Sequence, residues 1–379
     1  MRDSGSSGRI RDPEATALHL GKQRHLAKSL QNRVSLKEFH MKTFPILSWV
    51  LLAMSLLILF ILNLSLGSVN IPFQDIVSIL TGTTVAEPSW TAIVWDFRMT
   101  KALTCILVGG ALSISGLQLQ TLFRNALVGP DVLGLSSGAS LAVSIVLLSQ
   151  SAGLSIIGST SAWTVVIAST IGCLGVFMIM LTVSFRLRDN ISLLLVGLMV
   201  GAATASIVSV LQYLSKAEDL QVFMIWTFGS LGSLDWTEIR IITGVLVAGG
   251  AIAIASVKPL NAWLLGENYA RSMGINVTRS RLMIILSTSI LTGSITAFCG
   301  PIAFVGLAVP HLVKLIIKTN DHKVLIPAVL LGGAALMLFC DILAQLPGST
   351  QVLPINAITA LIGAPIVIWV IMRNKKISV

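Results

Sequence analysis

Ten long apolar stretches follow one another along the chain, and they constrain its fold more than any other feature. A helix needs about 20 apolar residues to cross the hydrocarbon core of a bilayer, and a backbone in lipid must pair its polar groups internally. Only 11% of the residues are charged, against about 25% in soluble domains. The sequence therefore predicts an all-α integral membrane protein with about ten transmembrane helices. These lie near 44–66, 102–120, 132–149, 162–184, 191–212, 239–257, 282–299, 301–318, 324–346 and 353–372.

Lysine and arginine are distributed unequally between the two sides that these helices define. An even number of spans places both termini on one side of the membrane. Outside the N-terminal tail, 13 Lys and Arg residues fall on that side and 4 on the other. Because cytoplasmic loops carry the excess of positive charge, both termini are predicted to be cytoplasmic, in a multi-pass protein of the inner (plasma) membrane.

The two ends of the chain differ from the apolar middle. Residues 1–43 are polar and show no apolar stripe, which predicts a disordered N-terminal extension. The alternatives are a start codon placed upstream of the native one and a segment that lies on the membrane surface. Residues 44–373 form the predicted ten-helix domain, and residues 374–379 form a cytoplasmic tail.

A charged island, LNAWLLGENYARSMGINVTRSR, interrupts the apolar pattern at residues 260–281. It is too short to cross a bilayer, and its pattern predicts short helices at 260–275. Asn261 is a candidate N-cap, Gly266 divides the segment into two helices, and Gly274 ends the second. Both glycines are expected at helix ends, where a positive φ suits glycine.

The second short helix has two different sides. Glu267 and Arg271 are four residues apart on one side, and Tyr269 and Met273 are four residues apart on another. A helix with a charged side and an aromatic–methionine side suits contact with protein, whereas the alternative is a solvated loop. We interpret it as a docking helix for a separate motor subunit.

The sequence shows neither a nucleotide-binding motif nor a relay of charged residues that could couple transport to an ion gradient. No phosphate-binding G-x-x-x-x-G-K-[ST] motif occurs, so the chain is not expected to be an enzyme that hydrolyses a nucleotide. Asp341 is the one acidic residue well inside the predicted spans, whereas carriers driven by ion gradients keep relays of such groups. The four cysteines fall in apolar segments without C-x-x-C spacing, so they are expected to be small buried residues. No cofactor, metal or nucleic acid is expected on this chain.

One motif in the sequence is typical of a different class of protein, the serine hydrolases. Gly134, Ser136 and Gly138 satisfy G-x-S-x-G, and His311 could serve as a base, so the alternative is an intramembrane serine protease that uses Ser136. That motif normally sits at a strand–turn–helix junction. Here it opens an apolar helix, just after Pro130 and Asp131, which predict the helix start.

Several motifs in series resemble the FecCD-type permeases over residues 44–373. They are LVGGALSISGLQLQTLFRNALVGPDVLGLSSGASL, LLGENYARSMGI, GPIAFVGLAVPHLVKL and LPINAITALIGAPIVIWVIMR. The resemblance implies the vitamin B12 permease-like (type II importer) fold, a homodimer, two ATP-binding subunits that hydrolyse ATP–Mg, and an external substrate-binding protein. It also implies that the short helices couple to the ATP-binding subunits. The residues in question are Asn261, Leu265, Gly266, Glu267, Tyr269, Arg271, Met273 and Gly274.

The resemblance also suggests a docking position and a cargo. Arg98 and Lys101 occupy the position at which the vitamin B12 permease meets acidic residues of its binding protein. One of that permease's arginines is lysine here, and a further basic position is Gln345. The alternative is that Arg98 and Lys101 only anchor the end of the second span. The expected cargo is an iron–siderophore, with haem and cobalamin as alternatives.

Overall fold

The computed structural model describes residues 46–67, 69, 71–82, 87–148, 162–187, 190–232, 234–345 and 352–374. These residues are helical or connect helices, and no strand occurs among them. The predicted N-terminal extension and the last residues of the tail lie outside the described residues. The chain forms two compact units, Met1–Leu51 and Leu52–Val379. The contacts described below lie within the larger unit, Leu52–Val379.

Seven described helices are long and apolar enough to cross a membrane. Three further apolar helices are shorter, so the number of ten spans stays a prediction. The long helices are α1 (Ile46–Ser65), α4 (Thr100–Leu122), α6 (Ala162–Arg186), α7 (Asn190–Leu214), α9 (Trp236–Ala255), α12 (Val277–Cys299) and α14 (His322–Ala344). The shorter apolar helices are α5 (Leu135–Leu148), α13 (Val305–Ile317) and α15 (Ile355–Asn374). The remaining short helices are α2 (Phe73–Thr81), α3 (Pro88–Ala92), α8 (Ala217–Thr227), α10 (Val257–Trp263) and α11 (Glu267–Ser272).

Two predicted helix starts are corrected by the structure. The second span was expected from residue 102, but the helix runs unbroken from Pro88 to Leu122 and includes a π-helical segment, Ile93–Met99. Pro130 and Asp131 open a 3-10 turn rather than the α-helix itself. Gly134, with φ 73°, ends that turn, and α5 begins at Leu135.

Helix α4 is the centre of the bundle. In its most apolar window 83% of the residues are buried, against 17% in α1, and it packs against α9, α12, α13 and α14. Its most extensive contact is with α14, where a Cβ built on Gly109 would lie 2.1 Å from the carbonyl oxygen of Gly333. Small residues let two backbones approach in this way, and Gly109 and Gly333 leave that space here.

A second group of helices consists of α5, α6 and α7. Helices α5 and α6 touch through their backbones, since a Cβ on Gly172 would lie 2.1 Å from the Gly138 carbonyl oxygen. Helix α12 packs against α4 and α9 on one side and against α5 and α6 on the other. It therefore joins this group to the helices around α4.

The α4–α14 contact gives a direct test of the packing. Gly109→Val places its side chain against the Gly333 backbone, and such overpacking costs about 1–3 kcal/mol. We expect a lower melting temperature for this variant in detergent. Gly244→Val is the matched control, because a Cβ there meets no heavy atom within 4 Å. Equal melting temperatures for the two variants would contradict the close contact.

Candidate coupling site

The charged island folds as two short helices, α10 and α11, with a break between them. Gly266 lies in the break with φ 107°, and Gly274 follows α11 with φ 78°. Both values are in the region where side chains other than glycine are strained. The division at Gly266 and the end at Gly274 were predicted correctly.

Asn261 does not cap a helix, so that prediction was wrong. Helix α10 follows α9 after the single residue Ser256, and Asn261 lies inside α10. Its side chain instead reaches the start of α14. The amide nitrogen Nδ2 donates to Asp321 Oδ1 (2.7 Å), and Oδ1 accepts the backbone N–H of His322 (2.9 Å). Sequence reasoning missed this contact because the two residues are 60 positions apart.

Asp321 is the charged partner in this contact. Its carboxylate accepts the backbone N–H of Lys323 (3.0 Å) as well as the Asn261 amide. Chiefly the bond from Lys323, and then the bond from Asn261, hold the pKa of Asp321 below its ordinary value. Asp321 therefore stays ionised and acts as an acceptor toward α10.

The charged side of α11 faces the start of α12. Arg271 donates to Glu267 at 2.6 Å, as predicted for residues four apart. The buried Arg281 also approaches Glu267, at 3.6 Å, and it donates to the carbonyl oxygen of Leu187 (2.9 Å). Because Arg271 is largely exposed, its ion pair contributes little stability, about 0.3–0.5 kcal/mol. The contact that connects α11 to α12 is the one between Glu267 and Arg281.

The other side of the two short helices is apolar and uncovered. Leu265, Tyr269 and Met273 are 62%, 49% and 59% exposed, whereas Trp263 and Ala270 are fully buried. Trp263 and Ala270 therefore hold the helices against the bundle. We call the group Leu265, Tyr269 and Met273 the coupling surface. It has the aromatic and methionine character that is enriched in protein interfaces.

Arg98 is buried and bound to backbone. Its guanidinium donates to the carbonyl oxygens of Leu64 (2.6 Å) and Ser65 (3.0 Å) at the end of α1, and to that of Val69 beyond it. Carbonyl groups at the end of a helix have no partner within the helix. Arg98 therefore satisfies the end of α1, which supports the anchoring alternative; docking to a binding protein stays a prediction.

Lys101 pairs with Asp341, the one acidic residue well inside the predicted spans. Its Nζ lies 2.9 Å from Asp341 Oδ1, and the two side chains are 18% and 3% exposed. The other carboxylate oxygen accepts from Asn63 (2.8 Å) and from Gln345 (2.6 Å). The sequence signal that could have identified this pair is one carboxylate and one lysine, each near the end of a predicted span. Charged side chains within membranes commonly pair with one another.

The contacts around Ser136 and His311 do not form a catalytic pair. Ser136 donates its hydroxyl to Asp131 (3.0 Å), and His311 Nε2 lies 2.8 Å from the carbonyl oxygen of Ala126. A backbone carbonyl can only accept, so this nitrogen carries the proton. These contacts give the protease alternative no support. The four cysteines are free and buried, as expected, and the described residues hold no group able to bind a metal.

The ion pair of Lys101 and Asp341 can be tested by removing its charges singly and together. Lys101→Met leaves a buried carboxylate without its cation, and breaking a buried pair costs about 3–5 kcal/mol. Adding Asp341→Leu should restore much of the loss in melting temperature. Lys216→Met, at an exposed lysine before α8, is the control and should change little. A double variant no more stable than Lys101→Met would contradict the pairing.

Comparison with known proteins matches this chain to one family over most of its length. The model of the FecCD transport family matches residues 55–373. The hemin transport system permease protein of Yersinia pestis is 32% identical over 86% of this chain and 96% of its own length. The vitamin B12 import system permease protein of Klebsiella pneumoniae subsp. pneumoniae is 33% identical over 74% of this chain and 83% of its own. A solved structure of a metal-chelate type ABC transporter in an inward-facing conformation is 25% identical, with a TM-score of 0.75 over 87% of this chain and 99% of its own. The chain belongs to the FecCD transport family.

Proposed function

We propose that this chain is the permease subunit of an ATP-driven importer that moves a metal chelate into the cytoplasm by alternating access. The observation that carries the proposal is the coupling surface. Leu265, in the break between the two short helices, Tyr269, in α11, and Met273, directly after α11, are uncovered apolar side chains in a chain of a transport family. An uncovered group of this kind fits a partner that docks on it.

The proposed assembly has two copies of this chain and two ATP-binding subunits, which hydrolyse ATP–Mg. An external substrate-binding protein delivers the cargo, and both termini of the permease are cytoplasmic in the inner membrane. The chain itself performs no covalent chemistry. Arg98 and Lys101 remain the proposed docking position for the binding protein. Since Arg98 is bound to backbone and Lys101 to Asp341, docking there would require a rearrangement of these contacts.

The proposed cargo is an iron–siderophore. A chelate brings its metal already coordinated, so the pathway needs room and weak contacts rather than ligands for the metal. The low content of charged residues, 11% of the chain, suits such passage. Haem is the second candidate, since the hemin permease of Yersinia pestis matches over 96% of its length; cobalamin follows, from the vitamin B12 permeases.

The central experiment reconstitutes the permease with its ATP-binding subunits in vesicles and adds the binding protein. We expect ATP-dependent uptake of a ferric siderophore and no ATP hydrolysis by the purified permease alone, because it lacks a phosphate-binding loop. Haemin and cobalamin are run in parallel, each with the same binding protein. Uptake of haemin or cobalamin in place of the siderophore would show that the proposed cargo is wrong. ATP hydrolysis by the permease alone would contradict the proposal that separate subunits hydrolyse ATP.

The coupling surface is tested with the two tyrosines of the chain. Tyr269→Ser should weaken binding of the ATP-binding subunit roughly thirtyfold if it removes about 2 kcal/mol, as for a central aromatic contact. Tyr213→Ser is the matched control: Tyr213 is 89% exposed and is predicted to lie on the external side. Affinity measured by titration in detergent separates the two. Equal affinities would remove Tyr269 from the interface.

A further inference from the structure

A partly buried polar junction connects α10 to two transmembrane helices. It consists of Asn261 on α10, Asp321 and His322 at the start of α14, and Thr121 near the end of α4. His322 is 0% and Thr121 4% exposed. His322 Nδ1 lies 2.7 Å from Asn261 Oδ1, and His322 Nε2 lies 2.9 Å from Thr121 Oγ1. The imidazole therefore bridges α10 and α4.

The hydrogen bonds assign the orientation of the Asn261 amide and the proton on His322 Nδ1. Asn261 Nδ2 donates to Asp321, so Oδ1 is its acceptor and His322 Nδ1 must carry a proton. In the neutral imidazole Nε2 is then an acceptor. The Thr121 hydroxyl lies 2.9 Å from this nitrogen and 2.9 Å from the carbonyl oxygen of Leu117, and its one proton is shared between these two acceptors. An amide is required at position 261, since a carboxylate cannot donate to Asp321 and an aliphatic side chain can do neither.

Helices α4 and α14, which the junction joins, are also joined elsewhere. At the far end of the pair, Lys101 on α4 binds Asp341 on α14 at 2.9 Å. Between the two ends, the backbones touch at Gly109 and Gly333. Close-packed helices transmit displacement rather than absorb it. A displacement of α14 at His322 is therefore passed to α4 and to the Lys101 end.

We propose that Asn261 is a positioning residue for transport: through His322 and Thr121 it passes movement of the short helices to the α4–α14 pair. The inference rests on the proposed function and deepens it. The coupling surface binds the ATP-binding subunit, and Asn261 is the residue through which movement caused by that binding reaches the transmembrane helices. Hydrogen bonds at 2.7–2.9 Å make this connection direct from α10 to α4.

The test measures cargo molecules imported per ATP hydrolysed in the reconstituted complex. Thr121→Val keeps the shape of the side chain but removes the hydroxyl, and Asn261→Leu removes all three hydrogen bonds that Asn261 makes with Asp321 and His322. We expect each to lower the ratio roughly tenfold, within the range of coupling energies between sites. Thr121→Val should leave assembly and basal ATP hydrolysis at the wild-type level, because Thr121 is buried and is not one of the exposed residues of the coupling surface. Thr121→Ser keeps a hydroxyl and should restore the ratio.

A structural control separates positioning from loss of stability. Asn276 caps α12 by accepting the backbone N–H of Arg279 (3.0 Å), and Asn276→Ala removes one hydrogen bond outside the junction. We expect this variant to keep the wild-type ratio. A normal ratio for Thr121→Val and Asn261→Leu would overturn the inference, as would an equal loss in Asn276→Ala. A wild-type complex without ATP-dependent uptake would count against the proposed function itself.

Discussion

The contact between the backbones of α4 and α14 is the constraint on which the rest of the bundle depends. In lipid, helices gain little from burying apolar side chains against each other, so close backbone packing and polar contacts must hold them together. At Gly109 and Gly333 neither helix has room for a Cβ. This contact places α4 at the centre, where it also meets α9, α12 and α13. It also sets α14 at the distance at which side chains at both ends of the pair can meet.

The few charges in the spans are used where helices end. Arg98 satisfies the last carbonyl groups of α1, and Lys101 neutralises Asp341 while Asn63 and Gln345 fill the second carboxylate oxygen. Arg98, Lys101 and Asp341 are thus each hydrogen-bonded or paired, as a low-dielectric environment requires. The polar junction at Asn261 follows the same logic with neutral groups. An ion pair connects α4 and α14 at one end and a neutral hydrogen bond connects them at the other. In both places a polar side chain removed from water is given a partner.

Local patterns predicted local structure well, and contacts between distant residues were not predictable. The apolar lengths gave the helices, and the glycines at 266 and 274 gave the breaks, because these depend on a few neighbouring residues. The ion pair of Glu267 and Arg271 also follows from helical spacing. Asn261 was mistaken for a cap because its partners, Asp321 and His322, come close only through the packing of α14. The partner of Asp341 was hidden for the same reason.

The coupling surface has a consequence for the life of the protein before assembly. Leu265, Tyr269 and Met273 are uncovered on a chain whose other exposed apolar residues lie mainly on long apolar helices. In water such a group favours association with any available apolar surface. A permease made without its partner is therefore the form most open to aggregation and to proteases. Balanced synthesis of the subunits protects this surface as effectively as any change in its sequence.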